Sequence, residues 1–384
     1  MQIALVYKSY LPSYGGIEVL MHTIAKGLKE KGCDVTVITL NVLPGKRINK
    51  LPEEEFIDGI RVLRLKSTEL IMSQIDYCVE TGLLKNILRE CEIVHVFSSL
   101  PSAILYKTLS LCRKLKLSCV WQPIFITNRF KYHKNPFVRS LGNIYDEFIL
   151  PVLARKADVI VSLTEAETNF FKEKVKVPVF TLGECVEMVH VSPRIMKQVL
   201  CKYKISCNRY ILSVGRIVWY KGYDLLLHSW RFIEPLFENL KLVIIGRDYG
   251  YKKKLLEIIN KYKVRNVLFL DPVSFQELHA LYQGCLFVVS LSRFETFHRI
   301  ALEAWVHRKP IIALDLGPAT KHIAEARGGI LVNEYTPNII LSMKHLIEDR
   351  DSATRMGIRG YTMLKQKYTV DIYVKKLLAI YRYI

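Results

Sequence analysis

Residues 1–40, MQIALVYKSYLPSYGGIEVLMHTIAKGLKEKGCDVTVITL, hold two short apolar runs on either side of one amphipathic stretch. Residues 3–7 and 35–40 read as buried strands. Between them Leu20, Ile24 and Leu28 recur four apart, the spacing of one helix face over 17–31. Gly32 follows as a helix stop. A strand, a crossover helix and a second strand make a βαβ unit, whose strands pair in parallel.

The strand signature recurs at 93–97, 158–162 and 179–182. Residues 60–65, where Arg61 and Arg64 interrupt aliphatic side chains, read as an edge strand. After Cys207 the rhythm restarts: 210–214, 241–245, 267–270, 286–290, 310–313 and 330–332 are buried-strand runs separated by helix-length segments. At roughly 150 residues per domain, 384 residues suit two domains. The expected fold class is α/β: a first domain over 1–205, a second over 206–366, a linker within 192–208, and a closing helix in 367–384, read over 369–383. Ligands of open α/β sheets bind at the carboxyl ends of the strands, so the loops there are where function is sought.

Half of the residues are hydrophobic and 24% are charged, enough for a core in each half, which excludes disorder as the main character. Lys and Arg number 56 against 36 Asp and Glu. The resulting charge of +20 attracts phosphorylated ligands, anionic membranes or nucleic acid without choosing among them. The nine cysteines are scattered singly, without a CxxC pair or a Cys/His cluster at zinc spacing. Neither a disulfide framework nor a structural metal is expected, and a reducing, cytoplasmic compartment fits. The first apolar run reaches Lys8 and Pro12 too soon for a signal peptide, and no run of about 20 apolar residues offers a membrane span.

Three segments carry chemistry. Ser13-Tyr14-Gly15-Gly16-Ile17-Glu18 opens the first helix, where paired glycines admit close backbone approach and the free N–H groups suit a phosphate; a plain turn explains it equally. Ser213-Val214-Gly215-Arg216-Ile217-Val218-Trp219-Tyr220-Lys221-Gly222 places two cations five residues apart, able to converge on one diphosphate or to remain solvated surface charges. Ser292-Arg293-Phe294-Glu295-Thr296-Phe297-His298-Arg299-Ile300-Ala301-Leu302-Glu303-Ala304 spaces Glu295 and Glu303 as E-x7-E, the second inside an apolar helix. A carboxylate there needs a partner, and sugar hydroxyls are suitable donors; ordinary helix-surface glutamates are the other reading of the spacing.

Together, and in this order, these segments resemble the retaining glycosyltransferases of the family 4 type (glycosyl transferases group 1). Weaker echoes are Ile245-Gly246-Arg247-Asp248-Tyr249-Gly250 and Ala157-Asp158-Val159-Ile160-Val161-Ser162. The resemblance covers nearly the whole chain. It implies the GT-B fold, two facing Rossmann-like domains with a cleft between them and a closing helix returning to the first. The first domain would receive the acceptor and the second the nucleotide-sugar donor. It also implies that Gly15 and Gly16 lie against the donor diphosphate, and that Arg216 and Lys221 bind that diphosphate and stabilise it as it leaves. Glu295 would face the donor sugar and Glu303 hold the ribose, with Thr296, Phe297 and His298 lining the same donor loop. The implied catalytic set is Arg216, Lys221 and Glu295. No metal or other cofactor is implied, because the two cations do its electrostatic work. The base pocket would be largely backbone near Gly246 and Asp271-Pro272-Val273.

The chain departs from the family pattern in three places. Thr296 and His298 stand where the family has glycines, so either the loop is shifted or His298 itself donates to phosphate or sugar. The family's histidine after a middle strand of the first domain has no counterpart in Cys119-Val120-Trp121-Gln122-Pro123-Ile124-Phe125; His95 and His133 flank it, and His95 reads as a hydrogen-bonded core residue. Glu184-Cys185-Val186-Glu187 replaces an Asn-Gly-Val-Asp turn.

Between Glu92 and Asp146 no residue is acidic, while Lys107, Arg113, Lys114, Lys116, Arg129, Lys131, Lys134 and Arg139 fall there, interleaved with Phe125, Phe130, Tyr132 and Phe137. Such a mixture suits an anionic membrane surface and peripheral docking to a lipid-linked acceptor; a merely soluble basic face is the plainer reading. No nucleic-acid motif accompanies the charge, so nucleic acid is not an expected partner. The expected function is transfer of a hexose-type sugar from a nucleotide-diphospho-sugar to a glycolipid or glycan. The alternative is a catalytically degenerate GT-B protein that binds nucleotide or a partner enzyme.

Overall fold

The opening βαβ unit forms over Gln2–Val6 (β1), the helix Gly16–Glu30 and Asp34–Leu40 (β2). In this computed structural model, which describes residues 1–13, 15–41, 51–70, 75–78, 80–98, 102–124 and 136–384, β1 and β2 run parallel, Gln2 opposite Asp34. Tyr14 of the glycine loop lies outside the described residues, as do Phe125, Arg129, Phe130, Lys131, Tyr132, His133 and Lys134 of the basic stretch. The chain divides into two units, Met1–Cys185 with Val370–Ile384, and Val186–Thr369.

In the first unit follow Glu54–Ile57 (β3), Ile60–Leu65 (β4), Ser67–Leu70 (β5), Ile75–Cys78 (β6), Ile93–Ser98 (β7), Ser118–Pro123 (β8), Val159–Ser162 (β9) and Val179–Thr181 (β10). Its main sheet has the order β10-β9-β8-β7-β1-β2-β4-β3, and β5 pairs with β6 as a separate hairpin. Residues 60–65 are not the edge: β4 pairs in parallel with β2 and antiparallel with β3, which takes the edge. The turn is Asp58-Gly59, both at positive φ (50° and 72°), as a tight hairpin requires. Glu54 and Glu55 make β3 look unlike a strand, yet they pair with Arg61 and Arg64, the cations that marked β4 as exposed.

The closing helix, Val370–Tyr383, belongs to this first unit. It seats on the helix Gly16–Glu30 at Gly27, where a Cβ would lie 2.6 Å from Val370 Cγ1 and 2.8 Å from Val374 Cγ2. Beneath it His95 of β7 is fully buried, its Nδ1 2.7 Å from the Tyr381 hydroxyl, and Tyr373 donates to Gln122 Oε1 at 3.2 Å. Burial pulls the His95 imidazole down to about 3, so it is neutral, the core role its sequence position suggested.

In the second unit Tyr210–Val214 (β11), Lys241–Ile245 (β12), Val267–Leu270 (β13), Val288–Ser290 (β14), Ile311–Leu314 (β15) and Gly329–Val332 (β16) form a wholly parallel sheet, ordered β13-β12-β11-β14-β15-β16. The stretch expected as a linker, 192–208, is mostly the helix Pro193–Lys202 of this unit. Ser192 caps it, accepting from the Ile195 N–H, Pro193 opens it, and Val199 and Leu200 are buried. The unit therefore begins at Val186, earlier than the expected 206. Val186 pairs with Thr369 in a short parallel bridge, so the chain enters and leaves the unit side by side within the Glu184–Glu187 stretch and at its end.

Candidate active site

In the second sheet the strand order reverses between β11 and β14, and the carboxyl ends of these two strands form the crevice where open α/β sheets bind ligands. The loop after β11 carries Arg216 and Lys221; the loop after β14 carries Glu295.

The β11 loop is fixed by its backbone. The Tyr223 hydroxyl donates to the Gly215 carbonyl at 2.7 Å, and the Ile217 N–H donates to Arg247 O at 2.9 Å. A single 3-10 turn, Trp219–Lys221, leads to Gly222 at φ +69°, which precedes the helix Tyr223–Ile233. A side chain at Gly222 would collide with the Leu291 carbonyl oxygen beyond β14, so this glycine is what allows the two loops to touch. The Lys221 stem folds over Gly215, whose Cβ would lie 3.6 Å from Lys221 Cε. Arg216 is exposed, its guanidinium 5.9 Å from the Tyr220 ring and 6.0 Å from the Tyr249 ring.

Arg293 ties the β14 loop to the β11 loop. Its N–H donates to Tyr220 O at 2.7 Å, Nη1 donates to Trp219 O at 2.9 Å, and Nη1 and Nη2 reach the two Asp224 oxygens at 3.0 Å each. The planar fork thus fixes both sides of the turn that ends at Lys221. Lys221 Nζ donates to Glu295 Oε1 at 2.6 Å, with side chains only 15% and 16% exposed. Burial pushes the Glu295 carboxyl up, but the Lys221 charge, helped by His298, outweighs it and leaves the pKa below its ordinary value. Lys221 and Glu295 are therefore a partly desolvated ion pair.

The rest of the E-x7-E segment is held from the inside of the unit. Thr296 is half-buried, and the Phe297 ring stacks on His322 at 4.3 Å with Tyr368 edge-on at 5.7 Å. His298 is wholly buried, its backbone N–H donating to Ala319 O at 3.2 Å. Neither His298 ring nitrogen has a well-formed hydrogen bond, and burial lowers its pKa against the opposing pull of Glu295. Glu303, in the helix Arg299–Val306, accepts from the Tyr282 hydroxyl at 2.8 Å and from Arg299 Nε at 3.2 Å.

Gly15 and Gly16 sit at the carboxyl end of β1 in the first unit. Gly15, extended at φ −131°, precedes the helix, and a side chain there would collide with the Glu18 carboxylate, which is buried and takes a hydrogen bond from Ser9 Oγ. A Cβ on Gly16 would meet nothing within 4 Å. The structure thus joins Lys221 to Glu295, holds Glu303 on Tyr282, and buries Phe297 and His298. Arg293, Asp224, Tyr223 and Tyr282 were not singled out by their sequence positions. Among the described residues no group of three or more His, Cys, Asp or Glu is placed to hold a metal ion, and no helix is long and apolar enough to cross a membrane.

Two parallel-stranded Rossmann-like units of this kind define a GT-B protein, and the comparisons with known proteins agree. The family model described as "Glycosyl transferases group 1" matches residues 203–363, and that of "Glycosyltransferase Family 4" matches residues 14–180. Each match covers under half of the chain, and together they span most of both units with glycosyltransferase models. An uncharacterized glycosyltransferase of Haemophilus influenzae is 24% identical over 82% of the chain and 80% of its own length. One from Methanocaldococcus jannaschii is 24% identical over all of this chain and 98% of its own. Among solved structures, Anabaena HepE in complex with UDP-glucose is similar at TM-score 0.79 and 16% identity over the full length of both chains. WaaG, a glycosyltransferase involved in lipopolysaccharide biosynthesis, is similar at TM-score 0.71 and 15% identity, covering 98% of this chain and 99% of its own.

Proposed function

We propose that the protein is a retaining transferase that moves a hexose-type sugar from a nucleotide-diphospho-sugar to a hydroxyl of a glycolipid or glycan. The carrying observation is the Lys221–Glu295 pair at the β11/β14 reversal, with Arg216 exposed on the same loop. A donor diphosphate entering there meets two cations, and its charge competes with Glu295 for Lys221. Glu295, released or shared, is left to accept hydrogen bonds from the sugar. The bond from the anomeric carbon to the diphosphate oxygen breaks, and the acceptor oxygen bonds to that carbon on the same face. The acceptor proton passes to a phosphate oxygen, and nucleoside diphosphate leaves. Arg216 and Lys221 stabilise the charge that grows on the leaving group. Glu303, which Tyr282 and Arg299 hold in the helix Arg299–Val306, would accept from the ribose hydroxyls. No metal is needed where two cations carry this load.

HepE, of similar fold, is known with UDP-glucose, which makes a UDP-sugar the first donor to try. The acidic-free stretch 93–145 supports a lipid-linked acceptor reached by peripheral contact with the cytoplasmic membrane face. A degenerate, nucleotide-binding role is favoured by one observation: His298 fills the loop and its amide is already spent on Ala319. Release of nucleoside diphosphate from a panel of nucleotide sugars, with a membrane lipid extract as acceptor, decides between them. Turnover with one donor, lost in Arg216→Ala, supports the transferase; nucleotide binding without turnover across the panel overturns it.

A further inference from the structure

The helical run from Pro136–Ile144 through the π-helical turn Tyr145–Ile149 to Leu150–Ala154 carries large apolar side chains on its solvent side. Leu141 is 50% exposed, Ile144 49%, Phe148 67% and Val152 51%. Their spacing of three, four and four continues by three more to the exposed Arg155, one row along one helix face. The opposite face is core: Tyr145, Leu150, Leu153 and Ala154 are buried with Trp121 and Phe171. Large side chains repeated along one solvated row are a patch, not scattered surface hydrophobics.

Near this row cations outnumber acids, although Asp158 and, on the neighbouring helix, Glu165 and Glu173 are also exposed. Lys156, just past it, donates to Ser110 Oγ at 2.8 Å, which ties its end to the helix Ala103–Leu115. That helix and its cap contribute exposed Arg113, Lys114 and Lys116, and Arg139 and Arg155 are exposed on the run itself. The one exposed acid of the run, Glu147, is bonded to Lys174. We infer that the row Leu141-Ile144-Phe148-Val152 is a lipid-insertion edge, lying in the interface of an anionic bilayer with the flanking cations on the headgroups. A protein partner of matching charge would need acidic residues opposite these cations and an apolar strip between; a bilayer with anionic lipids presents both everywhere. The surface deepens the proposed lipid-linked acceptor, and its test needs no transfer activity, so the two can fail separately.

The experiment is flotation of the full chain with vesicles of phosphatidylcholine alone or with phosphatidylglycerol. Wild type should float with the mixed vesicles, and partitioning should fall about tenfold in Leu141→Ser/Phe148→Ser with the melting temperature little changed. Phe148→Trp in otherwise wild-type protein should gain fluorescence quenching from bromine-labelled acyl chains beyond that of the native tryptophans. Equal flotation of the double variant, no added quenching, or no flotation of wild type overturns the assignment. A dimer of wild type that Leu141→Ser/Phe148→Ser dissolves in sedimentation equilibrium also overturns it, because the row would then pair two copies of the chain.

Discussion

Lys221 and Glu295 form a 2.6 Å ion pair across the two loops that leave β11 and β14, although 74 positions separate them in the chain. The pair is held from both sides, by Gly222 against Leu291 and by Arg293 against Trp219, Tyr220 and Asp224. In the proposed donor site, substrate charge would meet a lysine whose position is set before the ligand arrives.

Removing Lys221 leaves a buried carboxylate without its cation. Lys221→Met should cost about 3 kcal/mol of stability, and adding Glu295→Gln should restore most of it without restoring transfer. Urea denaturation of both variants measures the first part and a donor assay the second. Equal stability of Lys221→Met and wild type would show that the pair is not structurally coupled.

Arg293 acts through the loop, not on substrate. Arg293→Lys keeps the charge but loses the fork on Asp224, and nucleoside diphosphate affinity should drop about tenfold. Amide hydrogen exchange at Trp219–Lys221 should quicken in parallel. Unchanged exchange with weakened binding would mean that Arg293 contacts the ligand itself.

Acid should unfold the protein through its buried imidazoles. Burial lowers His95 and His322 to about 3 and lowers His298 as well, whereas the unfolded chain titrates them near 6.5. The unfolded state then binds more protons, so stability is full above about pH 6.5 and declines as pH falls toward 3. Glu277, held at about 2 by Lys202, adds to the loss below about pH 4.5. Melting temperature against pH should show this slope, and His95→Asn should flatten its upper part; a flat profile between pH 7 and 4.5 would contradict it.

His298 occupies volume beside Glu295 that a glycine would leave open. His298→Gly should widen the range of donor sugars, read as kcat/KM across a panel sharing one nucleotide. An unchanged ranking of donors would place His298 in the packing against Phe297 and His322 alone.

The alternation of strand and helix periods is plain in the sequence because the inner strands of the second sheet, β11, β12, β14 and β15, are buried almost throughout, and even the half-buried edge strands β13 and β16 are apolar. β3 was hidden because its acidic residues match no buried-strand pattern; their cations lie on β4. The 192–208 stretch reads as a linker because only Val199 and Leu200 of its helix are buried, although Ser192 and Pro193 are helix-start residues. At the site, Arg216, Lys221, Glu295 and Glu303 stood out by type and spacing. Arg293 did not, although it lies two residues before Glu295, because its partner Asp224 is 69 positions away and only the fold brings them together.

The most direct measurement is thermal unfolding with UDP, GDP, ADP and dTDP, comparing wild type and Arg216→Ala/Lys221→Ala, each against its own ligand-free midpoint. One nucleotide at 100 times its dissociation constant should stabilise wild type by about 2.7 kcal/mol and leave the double variant unmoved. No shift with any nucleotide, or the same shift in both proteins, would contradict a diphosphate site at Arg216 and Lys221.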